Sequence, residues 1–419
     1  MTKLLSDTID YIARSVAIWF WPSLARTVRR GRCSPLRLID ATPKRPRQLL
    51  VDVSIIVQRD AGTGIQRVVR SLIKELLSAP PSGFEIKLVS ATRKSKYRYA
   101  DRYLSTFGMP EVDPNDAEVV ASRGDVFLGL DLTSRISPRR HGDFKKWQTQ
   151  GVRLAFVVYD LLPIARPDWF TPRAGRSFRH WLTTLAINAN ALFCISNSVA
   201  LETQEALRSR FGIQPEELPT RWFHLGTDLP RLPRTRQGTD IIRTILMVGT
   251  IEPRKGHTQI LDAFETLWHH GRSETLIIAG RAGWNVKHLI NRIEQHPEIR
   301  RKLLWLPEIS DRELAALYAN ADGLIMASEG EGFGLPLIEA AQCGTPVFAR
   351  DIAVFREVAG EFATYFSGKN PEEFLPQLET WLNALASGKA QSSSNMPVMN
   401  WQDSYRMLKA HLVDLVKPD

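Results

Sequence analysis

The 419-residue sequence predicts an α/β protein of two domains, each built on a sheet of parallel-type strands. Three observations predict it. Short apolar runs recur along the chain, each closed by glycine or a polar turn and followed by a stretch with helical spacing. The alternation pauses at residues 229–238, which carry Pro230 and Pro233, and restarts at Thr244. Two of the runs end in glycine loops that open helices, Gly62-Thr63-Gly64 and Gly330-Glu331-Gly332-Phe333-Gly334.

Composition is that of a soluble globular protein, 43 % hydrophobic and 24 % charged. The length suits two or three domains. Cys33, Cys194 and Cys343 are odd in number, far apart and form no CxxC pair. That argues against a disulfide framework or a zinc site and for a reducing compartment.

The net charge of +10 is concentrated at the start of the chain, where residues 1–48 hold ten Lys/Arg against three acids. Leu5, Ile9, Ile12, Val16 and Phe20 keep helical spacing. Polar residues interrupt them, well short of the roughly 20 apolar residues a membrane span needs. Asp7, Asp10 and the late basic cluster do not fit a signal peptide. Two readings stand: a basic, Trp-rich helix on an anionic membrane surface, or a helix docked on the protein's own surface. Nucleic acid is not an expected partner, because the basic residues come without a recognisable binding fold.

Residues 49–57 read as the first buried strand. Residues 60–64 then open an amphipathic helix to about Leu77, placing Gly62 and Gly64 at the sheet edge where ligands bind. A plain βα turn with glycine for close packing fits the same residues. Residues 84–89 and 124–130 are strands, and the stretch between them, with Lys94, Lys96, Arg98 and Arg102, reads as surface. Residues 125–131 contain no D-x-D pair for a divalent cation, which favours a metal-free site. Residues 152–158 are a strand ending in Tyr159-Asp160, where Asp160 either orients a ligand hydroxyl or caps the next turn. A helix over 178–187, a strand over 191–195 and a helix from near Val199 capped by Ser196-Asn197-Ser198 complete the first half.

The second half opens with a strand over 244–250 and the loop Glu252-Pro253-Arg254-Lys255-Gly256. Two adjacent cations there can neutralise a diphosphate, arginine as a fork and lysine as a point charge, although such pairs are common on plain surfaces. Strands over 274–279 and 303–308, a helix capped at Ser310 and a strand over 321–327 follow. Residues 387–397 read as an exposed loop and 401–415 as a last helix. In the glycine loop, Pro336 suits a first helical turn, and the helix N-terminus suits an anion. Glu331 and Glu339 are eight residues apart, about two helical turns, and carboxylates accept paired hydrogen bonds from vicinal hydroxyls. A strand-to-helix turn with two solvated glutamates is the plain alternative.

Glu331 to Glu339, within Ser328-x-x-Glu331-Gly332-Phe333-Gly334-Leu335-Pro336, resembles the E-x7-E motif of family 4 retaining glycosyltransferases of the GT-B fold. The resemblance runs from about Leu49 to the C-terminus, and Ile65-Gln66-Arg67 and Tyr159-Asp160 resemble a subset concerned with lipopolysaccharide or exopolysaccharide assembly. It implies two Rossmann-like domains facing across a cleft. Residues 49–228 would form the acceptor domain and 239–395 the donor domain. Residues 1–48 would be a basic amphipathic extension, and 396–419 a helix returning to the first domain. The implied reaction moves a hexose, with mannose the leading candidate, from a GDP- or UDP-sugar to a glycan or lipid-linked glycan acceptor. It would need no cofactor or metal and would run in the cytoplasm or at the inner face of its membrane. Glu331, Asp160, Arg254 and Lys255 are the implied catalytic residues. Gly62, Gly64, Arg254, Lys255, Phe333, Gly334, Leu335 and Glu339 are the implied donor contacts. Two positions depart from the family: Tyr159 stands where many members have His, and Thr250 where Arg is frequent, which shifts load to Arg254. A catalytically silent sugar-nucleotide or glycan-binding subunit, and a GT-B phosphorylase or epimerase, are the other classes in play. A dehydrogenase is not expected, because no complete G-x-G-x-x-G follows a strand.

Overall fold

The structure, a computed structural model, describes residues 23–32, 45–109, 116–235 and 243–416. The expected apolar helix positions Leu5 to Phe20 and Cys33 lie outside them. The chain divides into two compact units, one running to His224 and including the last helix, the other spanning Leu225–Asn400.

The first unit is a seven-stranded sheet in the order β3-β2-β1-β4-β5-β6-β7. Its strands are β1 (Arg47–Asp52), β2 (Phe84–Ser90), β3 (Arg98–Tyr99), β4 (Val126–Gly129), β5 (Arg153–Val158), β6 (Ala191–Cys194) and β7 (Thr220–Trp222). All neighbours pair in parallel except β3, which runs antiparallel on β2. Leu50, Val51, Phe127 and Leu128 have no exposed surface, as continuous apolar strands covered on both faces require.

Two expectations are corrected here. The first strand stops at Asp52 rather than running to Val57, and Ser54–Gln58 is a short helix. The Asp131 carboxylate accepts the Ile55 and Ile56 amides at 2.7 and 2.8 Å, and Asp52 Oδ1 accepts the Ser54 amide at 2.9 Å. These caps overrule the strand preference of Ile55, Ile56 and Val57. The stretch between β2 and β4 is not simply surface. Tyr97 is buried, lies 5.3 Å from the Phe127 ring and donates its hydroxyl to Asp52 Oδ2 at 2.7 Å. Part of the basic extension before β1 is also described: Ser23–Arg32 is a helix docked on this unit. Arg29, 4 % exposed, donates to the Ala186 and Ala189 carbonyls at the end of the helix Pro172–Asn188 and to the Glu217 carbonyl. Arg26 and Arg30 pair with the Glu217 carboxylate at 2.8 and 3.2 Å. The hydrogen bond from Arg26, with further help from the Gln214 amide and Arg30, draws Glu217 down to about 2.

The last helix, Trp401–Val416, also belongs to this unit. Tyr405 and Lys409 donate to the Ala79 carbonyl at 2.6 and 2.9 Å, satisfying the C-terminal end of the helix Gly64–Ser78.

The second unit is a six-stranded parallel sheet in the order β10-β9-β8-β11-β12-β13. Its strands are β8 (Thr244–Val248), β9 (Thr275–Ala279), β10 (Leu303–Leu306), β11 (Gly323–Met326), β12 (Val347–Arg350) and β13 (Thr364–Phe366). Successive residues feed separate cores on its two faces, Ile245, Ile325 and Phe348 in one, Leu246, Leu324 and Val347 in the other. Strand β13 and the helix Pro371–Ala386 carry no expectation from the sequence, yet Trp381 of that helix is buried with its ring 4.9 Å from Phe348.

Two loops are corrected in this unit. Residues 229–235 of the expected linker are packed on it, with Leu229 buried and Arg234 donating to Asp322 at 2.7 Å; residues 236–242 lie outside the described residues. The expected exposed loop 387–397 holds the buried Ser393, whose hydroxyl donates to the Thr345 carbonyl at 2.7 Å, and the buried Met396. Among the described residues no helix is long and apolar enough to cross a membrane.

Asp52 supplies a test of the first unit. Burial is the main cause that raises its pKa from 3.8 to about 7; the Asp131 charge adds to it, against hydrogen bonds from Ser54 and Tyr97. The folded state thus keeps a proton that the unfolded chain releases near pH 4. The corresponding stability is present below pH 4 and is lost as pH rises through about 7. Its full size is on the order of 4 kcal/mol at 1.36 kcal/mol per pKa unit. Asp52→Asn should therefore gain stability relative to the parent between pH 4 and 8, read by urea unfolding across that range; parallel curves would show that Asp52 does not titrate there.

Candidate functional site

Most of the sequence-expected site residues fall in the second unit, at the C-terminal ends of β8 and β11. These are adjacent central strands, and their connections leave to opposite sides of the sheet. An open α/β sheet places its ligand crevice at such a point.

After β8 the chain makes a one-turn 3-10 helix, Pro253–Lys255, with Pro253 in its first turn. Gly256 follows in the left-handed region, φ 73°, and the helix His257–His269 begins. A Cβ on Gly256 would come within 2.5 Å of the Ala327 carbonyl oxygen, at the end of β11. Only glycine lets these two backbones meet so closely. The Glu329 amide donates to the Arg254 carbonyl at 2.8 Å and joins the two loops along the main chain. On the other side of the glycine loop, Gly334 takes φ 97° and caps the helix Leu335–Gln342, with Pro336 in its first turn.

This convergence brings Arg254, Lys255 and Glu331 together. Lys255 Nζ bonds Glu331 Oε1, and Arg254 Nη1 lies 3.0 Å from Glu331 Oε2. Arg254 is also held at 2.7 Å by the Gly330 carbonyl and at 2.9 Å by Glu252 Oε2. The Ser328 hydroxyl donates to Glu331 Oε1 at 2.7 Å. The Glu331 side chain is 9 % exposed. Burial pushes its carboxyl up, but the charges of Arg254 and Lys255 and hydrogen bonds from Lys255 and Ser328 outweigh burial and hold it at about 2. Glu331 is therefore an ionised acceptor at any working pH, fit to receive hydroxyl protons in hydrogen bonds and unfit to give one up. Burial, with the Lys255 charge beside it, lowers His257 to about 3, so this neighbour is neutral.

Glu339 lies about one turn into the helix Leu335–Gln342, not two helical turns from Glu331, because residues 331–334 are loop. It is 3 % exposed, with Oε2 accepting the Tyr318 hydroxyl at 2.7 Å. Phe333 is buried and Leu335 half-buried at the start of the same helix. Gly62, Gly64 and Asp160 belong to the first unit. Gly62 takes φ 63°, and its amide donates to Asp60 Oδ1 at 3.0 Å. Gly64 opens its helix behind a Thr63–Gln66 capping box, in which Gln66 also accepts the Ala61 amide. Asp160 Oδ1 accepts the Leu162 amide at 3.0 Å, the turn-capping arrangement. Tyr159 is 2 % exposed and donates its hydroxyl to the Leu130 carbonyl at 2.8 Å, so its phenol is part of the core. Among the described residues no group of three or more His, Cys, Asp or Glu could hold a metal ion.

No expectation from the sequence attaches a role to Ser328, Glu252 or Arg350. Ser328 stands three residues before Glu331, the spacing of a hydroxyl that closes a turn on a carboxylate. Arg350 was legible only as a charge ending an apolar strand.

Gly256 should be intolerant of a side chain. Gly256→Ala combines a left-handed φ with an oxygen at 2.5 Å and should lose about 3 kcal/mol by urea unfolding; a loss under 1 kcal/mol would mean that the two loops separate freely.

Residues 240–391 match the family described as glycosyl transferases group 1. The chain is 42 % identical over 378 residues to the serotype-specific mannosyltransferase WbdA of Escherichia coli, covering 87 % of this chain and 45 % of that protein. It is 37 % identical over 218 residues to the O-antigen chain mannosyltransferase RfbU of Salmonella typhimurium, covering 52 % of this chain and 56 % of that one. The chain thus spans about half the length of these curated relatives. Among solved structures, Anabaena Alr3699/HepE in complex with UDP-glucose superposes with a TM-score of 0.59 at 15 % identity, over 88 % of this chain and 98 % of that chain. That likeness shows the fold. The family match thus lies within the second unit of a chain with the GT-B fold.

Proposed function

We propose that this chain is a retaining glycosyltransferase that moves a hexose, mannose by preference, from a nucleotide sugar to a glycan or lipid-linked glycan in surface polysaccharide assembly. The observation that carries the reading is the buried, ionised Glu331 between Arg254 and Lys255 on the glycine loop. The mannosyltransferase relatives support the sugar, and the UDP-glucose complex of a GT-B neighbour supports a nucleotide-sugar donor.

In this reading Arg254 and Lys255 neutralise the departing nucleoside diphosphate, where negative charge grows in the transition state. Arg254 offers a fork that Glu252 and the Gly330 carbonyl already orient. Glu331 accepts hydrogen bonds from hydroxyls of the transferred sugar, and Glu339 from those of the ribose. The amides about Phe333 and Gly334, at the head of the helix Leu335–Gln342, face the diphosphate. The charges of Arg254 and Lys255 hold the Glu331 carboxyl low, which favours a hydrogen-bond acceptor over a proton-transfer group in this reading. The acceptor's proton then passes to the leaving phosphate on the same face, which accounts for retention. The site supplies its own cations, so no metal is invoked. Residues 1–48 would bring the enzyme to an anionic membrane surface from the cytoplasmic side.

Calorimetric titration with GDP and UDP, each with and without EDTA, tests the donor. One nucleotide should bind, unaffected by EDTA, and Arg254→Ala should weaken it about 10- to 100-fold, the worth of a charge-assisted hydrogen bond. Binding of neither by the folded protein would overturn the reading.

Glu331→Ala should lower kcat about 100-fold or more while nucleotide affinity stays level or rises, because Arg254 and Lys255 lose their internal counter-charge. Near-normal turnover would remove Glu331 from the chemistry. Nucleotide binding by the parent chain without transfer to any glycan acceptor would favour a silent sugar-nucleotide-binding subunit.

A further inference from the structure

Arg350 ends β12 and is 7 % exposed. Its Nε donates to the Ala327 carbonyl at 2.9 Å, its Nη1 to the Gly368 carbonyl at 2.9 Å, and its Nη2 to Gln259 Oε1. The guanidinium carbon lies 5.0 Å from the Phe366 ring centroid. Removing a charge this far from water costs several kcal/mol, and an apolar residue of similar volume is often as stable or more so. Simple stability is a poor reason for an arginine at this position.

Its partners supply a better one. Ala327 is the last residue before Ser328 and the Glu331 loop, and its carbonyl is also the atom that faces Gly256. Gln259 sits in the first turn of the helix His257–His269, four residues beyond Lys255. Its amide nitrogen donates to the Gly368 and Lys369 carbonyls at 3.3 and 3.2 Å. One guanidinium thus holds the root of the Glu331 loop, the root of the Lys255 helix and the backbone after β13. The Lys369–Glu329 ion pair closes the same circuit on the outer side.

We propose that Arg350 is a positioning residue that sets the Lys255–Glu331 juxtaposition, acting through the Ala327 carbonyl and Gln259. The inference rests on the glycosyltransferase reading above. Arg350 touches neither sugar nor phosphate; it fixes where the carboxylate that receives the sugar stands against the cation that receives the leaving group. Misplacement of such a pair by about 1 Å costs up to about 100-fold in rate, while a diphosphate held mainly by charge tolerates it.

The test compares Arg350→Lys, which keeps the charge and loses the three-way fork, with the parent. Arg350→Lys should lower kcat about tenfold or more with donor KM changed less than about threefold. A structural role alone would also slow the enzyme, so the deciding measurement is a double-mutant cycle with Glu331→Gln, in single turnover with enzyme in excess. If Arg350 acts through Glu331, Arg350→Lys adds less than about a twofold loss to Glu331→Gln; full additivity, or unchanged kcat in Arg350→Lys alone, overturns the inference. Should Arg350→Lys unfold, Gln259→Leu carries the same cycle and the same criteria. Absence of transfer by the parent chain would instead reject the underlying reading.

Discussion

A buried carboxylate between two cations governs the second unit. Glu331 is almost out of water, and an ion so placed persists only if its charge is met and its lone pairs are filled. Lys255, Arg254 and Ser328 meet both needs, but they come from two strands, β8 and β11. The sheet must pair those strands, and their following loops must close to main-chain contact. Gly256 against Ala327, the Glu329 amide on the Arg254 carbonyl and Arg350 on the Ala327 carbonyl are all consequences of that demand. Each would be an oddity alone: a left-handed residue, a loop-to-loop hydrogen bond, a buried arginine.

The first unit handles its carboxylates differently. Asp125 accepts the Gln48 amide at 2.7 Å and pairs with Arg45 at 2.8 Å. Asp131 caps Ser54–Gln58, and Asp52 is filled by Ser54 and Tyr97. These acids satisfy backbone ends and core hydroxyls of their own unit. Two of them pay in raised pKa values, with burial the main cause for each. The sequence predicts a strand over 124–130 and no metal motif, but nothing in it assigns these backbone and arginine partners to Asp125 and Asp131.

Legibility followed the range of the interaction. The sheets were readable because parallel strands buried on both faces leave unbroken apolar runs, such as Leu49 to Val51 and Leu324 to Met326. Caps carried within a few residues were readable too, as with Ser310 and Glu313. What failed depended on residues far away in the chain. Ser54–Gln58 looks like strand until Asp131, more than seventy residues later, caps it. Residues 387–397 look like loop until Ser393 finds the Thr345 carbonyl. In the site, the glycines, Arg254, Lys255 and Glu331 announce themselves by residue type at a strand end. Ser328 acts on Glu331 from three residues away, but Arg350 acts from another strand, and nothing in its local spacing says which partner it meets.

The charge balance of the cluster bears on how it would work. Arg254 and Lys255 face Glu252 and Glu331, so these four side chains sum to zero. A site of bare cations would hold a diphosphate tightly before and after reaction alike, and binding both states equally lowers KM without raising kcat. Cations already engaged by carboxylates attract a ground-state diphosphate only moderately. They respond most when a full leaving-group charge develops beside them, and they are already aimed. The carboxylates are then part of the cation site, and Arg350, charged and buried behind both loops, keeps that geometry from relaxing in either direction.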